Sequence, residues 1–78
     1  MYKEHDVVVL RRDLPDHGLV KDDVGAVVGV YSSGGYEVEF TASDGESVAV
    51  VTLTDKDIRP RGRREILHVR QVARVVGT

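Results

Sequence analysis

The first group of side chains that could take part in catalysis consists of clustered serine and threonine hydroxyls. Residues 32–33 and residues 41–47 are rich in serine and threonine. A serine nucleophile needs a neighbouring base and an oxyanion hole, and the sequence contains no G-x-S-x-G motif. We therefore predict that both stretches are turns, in which Ser, Asp and Gly satisfy nearby backbone groups. No catalytic residue is assigned, and the sequence does not predict an enzyme.

Histidines and aspartates are the candidate metal ligands. His5, His17 and His68 are far apart in the sequence, and no two of them have the spacing of a metal-binding pair. The sequence has no cysteine, and the acidic segment before residue 24 lacks the spacing of a calcium loop. We expect exposed histidines, a solvated acidic loop, no metal ion and no other cofactor. The aspartates of that loop are Asp13, Asp16, Asp22 and Asp23.

Arginines concentrated near the C-terminus are the third group. Residues 1–58 carry 12 acids and 5 bases, whereas residues 59–78 carry six arginines and one glutamate. Opposite charge in the two parts predicts that the C-terminal segment meets something acidic, namely nucleic acid, a partner protein or the acidic part of the chain itself. A solvated appendage is the remaining alternative. The arginines expected to make this contact are Arg61, Arg63, Arg64, Arg70 and Arg74.

Five short β-strands are predicted to position these groups. They cover residues 6–10, 24–31, 36–40, 47–53 and 58–60. A long polar loop follows the first strand, Gly-rich and Asp-Gly turns join the next three strands, and residues 55–57 suggest one helical turn. This layout predicts a small all-β fold, a five-stranded SH3-like barrel over residues 1–60.

Particular residues of the predicted strands carry further expectations. The glycines of the second strand should mark a bend or a close approach of the backbone. Strict alternation over residues 36–40 places Tyr36 and Phe40 in the core, whereas Tyr31 should reach the surface. A chain of 78 residues buries only about 60% of its unfolded surface, so its stability margin is narrow.

Residues 61–78 form the predicted C-terminal extension. Arg61 to Arg64 is a linker in this interpretation. Apolar residues then recur at helical spacing, which favours a short helix, although their β-branched side chains leave a strand open. These residues are Ile66, Val69, Ala73 and Val76.

The strand motifs resemble a known family. The motifs DVVVL (6–10), GAVVGVY (25–31), YEVEF (36–40) and DIRP (57–60) resemble a family of short bacterial proteins catalogued as a domain of unknown function. The layout is also similar to KOW modules of ribosomal and transcription proteins, and to electron-transport accessory proteins. The resemblance covers about residues 3–60, and it implies an SH3-like barrel that is not a catalyst on its own.

These observations predict a non-enzymatic protein-interaction or accessory module with an unidentified protein partner, and self-association as a homodimer. The alternative is a KOW-like nucleic-acid-binding domain that uses the arginine-rich tail, with phosphates contacted by Arg59, Arg61, Arg63 and Arg64. The sequence shows neither a signal peptide nor an apolar run that could span a membrane, so we expect a cytoplasmic protein without a membrane partner. The residues predicted to bind the partner are Arg11, Arg12, Asp22, Asp23 and Tyr31.

Overall fold

Five antiparallel strands form one sheet in the computed structural model, which describes residues 1–72. The strands differ from the predicted ones by at most one residue at either end, and their order in the sheet is β4-β3-β2-β1-β5. The all-β class is confirmed, and this order is consistent with a small barrel. The strands are β1 (Val7–Leu10), β2 (Val24–Val30), β3 (Tyr36–Thr41), β4 (Ser47–Leu53) and β5 (Ile58–Pro60).

The core lies on one face of this sheet. In β3, Tyr36, Val38 and Phe40 are buried while Glu37 and Glu39 are only partly covered, as the alternation predicted. Tyr31 is 46% exposed, which confirms its predicted place at the surface. Strand β1 lies between β2 and β5, with Val8 opposite Gly25 on one side and opposite Pro60 on the other.

Gly25 confirms that the second strand contains a close approach. A Cβ atom at this position would lie 2.8 Å from Phe40 Cε2 and 2.8 Å from Val38 Cγ1, both buried core side chains. The register of β2 against β3 also shifts between Val27 and Gly29, which is a bulge. The glycines of this strand therefore bring its backbone close to the core and interrupt its regular pairing.

Gly25→Ala is expected to lower the free energy of unfolding by about 1–2 kcal/mol, because the added methyl group overpacks the core against a stiff aromatic ring. Gly35→Ala is the matched control, because its Cβ atom would have no neighbour closer than 3.5 Å. Urea denaturation of both variants measures the difference. An equal effect of the two substitutions would contradict the close contact.

The long loop between β1 and β2 contributes to the core. Leu14 and Leu19 are buried and form an isolated bridge around a 3₁₀ turn, Pro15–His17. Gly18 adopts a left-handed conformation with φ 69° and closes that turn. The loop predicted as long and polar thus also contributes two buried side chains to the core.

Of the two predicted helical features, the single turn at residues 55–57 is present, and the C-terminal helix is absent from the described residues. At residues 55–57 there is a single hydrogen-bonded turn, in which the Asp57 N–H donates to the Thr54 carbonyl at 2.9 Å. The predicted C-terminal helix is wrong for residues 64–72, which form neither helix nor strand. Side chains of this segment instead form ion pairs with the sheet domain. Ala73, Arg74 and Val76, on which the helix prediction also rested, lie outside the described residues.

Within residues 1–72, no helix has the length and apolar character needed to cross a membrane.

Candidate functional site

Asp23 is the centre of the candidate site. It is only 8% exposed, and it directly precedes β2. Its backbone is fixed against the end of β1, because Leu10 N–H donates to the Asp23 carbonyl and Asp22 N–H donates to the Leu10 carbonyl, both at 2.9 Å. The carboxylate therefore occupies a defined position at the junction of the long loop and the sheet.

The C-terminal segment supplies two side-chain partners for this carboxylate, Arg70 and His68. Arg70 Nε donates to Asp23 Oδ1 at 2.8 Å and Arg70 Nη2 donates to Oδ2 at 2.5 Å, a bidentate pair. His68 Nε2 lies 2.9 Å from Oδ1, and the Val20 N–H donates to Oδ2 at 2.9 Å. Arg70 Nη2 also donates to the Gly18 carbonyl at 3.0 Å.

This geometry corrects the expectation of a fully solvated acidic loop. Asp13, Asp16 and Asp22 are exposed as predicted, but Asp23 is buried. Desolvation of a carboxylate is costly, and here the guanidinium and the loop N–H compensate for it. Asp23 thus binds the chain's own tail, which was one of the three partners that the charge asymmetry suggested.

The hydrogen bonds shift the titration of Asp23. Burial alone would raise its pKa, but the hydrogen bonds from Arg70, from the Val20 N–H and from His68 outweigh burial and lower the pKa from its ordinary value of 3.8 to about 2. The carboxylate is therefore charged at neutral pH, and the ion pair with Arg70 is intact there.

Acid should weaken this contribution to folding. Because the folded-state pKa of Asp23 lies below its ordinary value, the stabilisation is complete above about pH 4 and is lost as the pH falls towards about 2. We expect the urea midpoint of the wild type to exceed that of Asp23→Asn at neutral pH, and the difference to shrink near pH 2. A difference that stays constant across this range would contradict the assignment. Comparison with the variant is needed because the pKa values of Asp6, Asp57 and Glu65 are also lowered.

A second ion pair tethers the tail near its start. Arg59, in β5, donates from Nη1 and Nη2 to the two carboxylate oxygens of Glu65, both at 2.8 Å. The Gly62 N–H also donates to Glu65. Residues 66–69 are thus held between two fixed points, at Glu65 and at Arg70. A cleft lies between this segment and the sheet, and it is lined by both apolar and polar side chains: Val9, Val24, Ile66 and Leu67, and Asp22, Arg59, Glu65 and His68.

The tethered segment exposes large apolar side chains. Ile66 is 97% exposed and Val69 is 96% exposed, and Leu67 is about half covered. Within the part of the chain that the structure describes, the backbone groups of residues 66–69 make no hydrogen bonds. The segment therefore presents both apolar side chains and available backbone donors and acceptors.

The other predicted partner-binding residues are scattered. Arg12 pairs with Asp57 at 2.7 Å, and Arg11 is exposed. Tyr31 follows β2, whereas Asp22 and Asp23 precede it, so the structure places them at opposite ends of that strand. In the tail, Arg61, Arg63 and Arg64 are exposed and form no ion pair with any described residue, while Arg74 lies outside the described residues.

Sequence reasoning missed three members of this site. His68 was expected to be an isolated exposed histidine, and neither Glu65 nor Arg59 was assigned an intramolecular role. The one available signal was the placement of a single glutamate among arginines, which suggests an ion pair but does not identify the partner. Among residues 1–72, no cluster of three His, Asp or Glu side chains is placed to hold a metal ion.

Comparison with known proteins adds one finding. The model of a family described as a domain of unknown function (DUF4926) matches residues 4–60. No curated protein and no solved structure matches the chain. The matched residues include Gly18, Val20 and Asp23, but not His68 or Arg70.

Proposed function

The chain belongs to this family of unknown function, and from its exposed surface we propose that it is a non-enzymatic module that binds another protein. The single observation that carries this proposal is the near-complete exposure of Ile66 and Val69 on a segment held at both ends. Apolar side chains on a backbone that is tethered at both ends can associate at a lower entropic cost than those on an untethered segment.

The chemistry of the segment describes the partner. The backbone groups of residues 66–69, which form no hydrogen bond with any residue from 1 to 72, can add a strand to, or accept one from, another polypeptide. Arg61, Arg63 and Arg64 lie beside this segment and favour a partner surface with carboxylates around an apolar patch. The acidic part of a second copy has this charge, so the proposal includes a homodimer.

The finer features of the proposal rest on the sequence. A cytoplasmic setting suits a chain without cysteine. The strand order agrees with the proposed SH3-like barrel. The proposed likeness to KOW modules and electron-transport accessory proteins rests on the strand motifs. The proposed bacterial origin of the protein rests on the same motifs.

Mass measurements test the proposed association. We expect light scattering to show a mass that rises with concentration for the wild type, and a monomer for the variant Ile66→Ser/Val69→Ser. Val28→Ser, at another exposed valine, is the matched control and should behave as the wild type does. A wild type that stays monomeric at all concentrations would overturn the homodimer.

Binding to a different protein needs a separate experiment. The wild type and the Ile66→Ser/Val69→Ser variant are each coupled to a resin and exposed to lysate of the native host. We expect the wild type to retain a protein that the variant does not retain. Identical retained proteins would overturn the role of this segment, since the variant lacks its two most exposed apolar side chains.

Nucleic acid is the second candidate ligand, and the three exposed tail arginines favour it. Arg59 was expected to contact phosphates, but Glu65 binds it, and Asp23 binds Arg70. Three exposed arginines that form no ion pair with a described residue predict a slope of about −2 for the logarithm of the binding constant to single-stranded RNA against the logarithm of salt concentration. Labelled RNA tests this, and binding that is undetectable even at low salt would remove the candidate.

A further inference from the structure

The environment of Asp23 resembles a receptor for one particular functional group. The two carboxylate oxygens and the Gly18 carbonyl accept three hydrogen bonds from Nε and Nη2 of a single guanidinium. Arginine has a planar fork of donors that matches this arrangement, whereas the ammonium of lysine is a point charge that cannot form the parallel pair.

The receptor is built without the tail. The Asp23 side chain is oriented by the Val20 N–H, its backbone is held by Leu10, and Gly18 owes its position to its left-handed conformation. All of these residues lie within the segment that matches the family, whereas the arginine that fills the receptor lies outside it. The site thus belongs to the family domain, and Arg70 is one occupant of it.

The contacts around Asp23 allow another cationic side chain to replace Arg70. If the tail withdraws with both His68 and Arg70, the Asp23 carboxylate keeps only the hydrogen bond from the Val20 N–H, so a replacement cation is favoured. The side chains of Arg70 and His68 are 26% and 38% exposed, so the site opens to solvent where they enter it. The segment before them makes no backbone hydrogen bonds within the described residues that would resist its release.

We propose that the site formed by Asp23 and the Gly18 carbonyl recognises an arginine side chain of another polypeptide, and that Arg70 occupies it in the isolated chain. This inference goes beyond the proposed function, because it concerns a different group from Ile66 and Val69 and either can fail without the other. Release of Arg70 by a competing arginine would also free the segment at residues 66–69 from one of its two tethers.

Removing Arg70 from the full chain tests the site. The probe is a peptide with the sequence of residues 66–72, which contains one arginine, and binding is followed by the amide NMR signals of Val20 and Asp23. We expect Arg70→Ala to bind the peptide about tenfold more tightly than the wild type does, because the wild-type tail competes at an effective concentration near the millimolar range. Asp23→Asn/Arg70→Ala should not bind it.

Control ligands define what is recognised. The same peptide with lysine in place of its arginine should bind about tenfold more weakly, because it loses the bidentate pair. Free arginine shares the guanidinium but not the polypeptide, and it should also bind more weakly. If free arginine bound as tightly as the peptide, the polypeptide part of the proposal would be overturned.

Three results would overturn the site itself: no binding to a folded Arg70→Ala chain, equal binding of the lysine peptide, or binding that survives Asp23→Asn. If Arg70→Ala does not fold, the wild type is titrated with the peptide to millimolar excess instead. Displacement of the tail should then change the ring signals of His68. Unchanged His68 signals at that excess would likewise contradict the proposal.

Discussion

Ile58→Ala is expected to lower the free energy of unfolding by about 2–5 kcal/mol, the largest loss among the substitutions considered. Ile58 is only 1% exposed, and it pairs with Leu10 of β1, another fully buried residue. Strand β5 has only three residues, and Ile58 is its one fully buried side chain. Its truncation therefore leaves a cavity and loosens the last strand of the sheet.

Ile66→Ala is the matched control for this prediction. It is the same chemical change at a side chain that is 97% exposed, and it should alter stability by no more than about 0.5 kcal/mol. Thermal unfolding measures both, since 1 kcal/mol corresponds to about 4–8 °C in a domain of this size. Similar losses at both positions would show that Ile58 does not belong to the core.

Asp23→Asn should produce the second largest effect, a loss of about 2–3 kcal/mol. Removal of the charge leaves Arg70 without its counter-ion and weakens the bonds from His68 and the Val20 N–H, which are charge-assisted. Asp22→Asn is the control, because Asp22 is exposed and asparagine tolerates its φ of 78°. Both variants remove one negative charge, so a difference between them reports the buried site.

A double-mutant cycle assigns this loss to the ion pair. If Asp23 acts through Arg70, the loss for Asp23→Asn/Arg70→Gln should be smaller than the sum of the two single losses by at least about 1 kcal/mol. Urea denaturation at neutral pH provides the four values. Simple additivity would show that the two side chains do not stabilise the fold through each other.

Alternation and turn chemistry explain why the strands could be predicted. Only one face of β3 is buried, so its apolar residues Tyr36, Val38 and Phe40 alternate with Glu37 and Glu39. This alternation is visible in the sequence. Left-handed positions at Gly34 and Gly45 likewise coincide with the Gly-containing turns that the sequence suggested. These are local requirements, so the local sequence carries them.

The site could not be predicted in the same way. Four aspartates lie in the loop before β2, and only the folded loop determines that Asp23 faces inward while Asp22 faces solvent. Arg70 reaches it across 47 positions of sequence. The charge asymmetry indicated that such a contact is favourable, but it acts at long range and does not select one carboxylate. The predicted helix was wrong for residues 64–72 for a related reason. Helical spacing of Ile66 and Val69 stabilises a helix only if their side chains pack against another element, and both are almost fully exposed.

The position of β1 between β2 and β5 has a consequence for the order of folding. Val8 pairs with Pro60, which lies 52 positions later in the sequence. The hairpins of β2, β3 and β4 can form from neighbouring segments, but the pairing of β1 with β5 requires a loop of this length to close. We therefore expect the pairing of β1 with β5 to form late, and until it does the buried side chains of β1 lack their neighbours in β5.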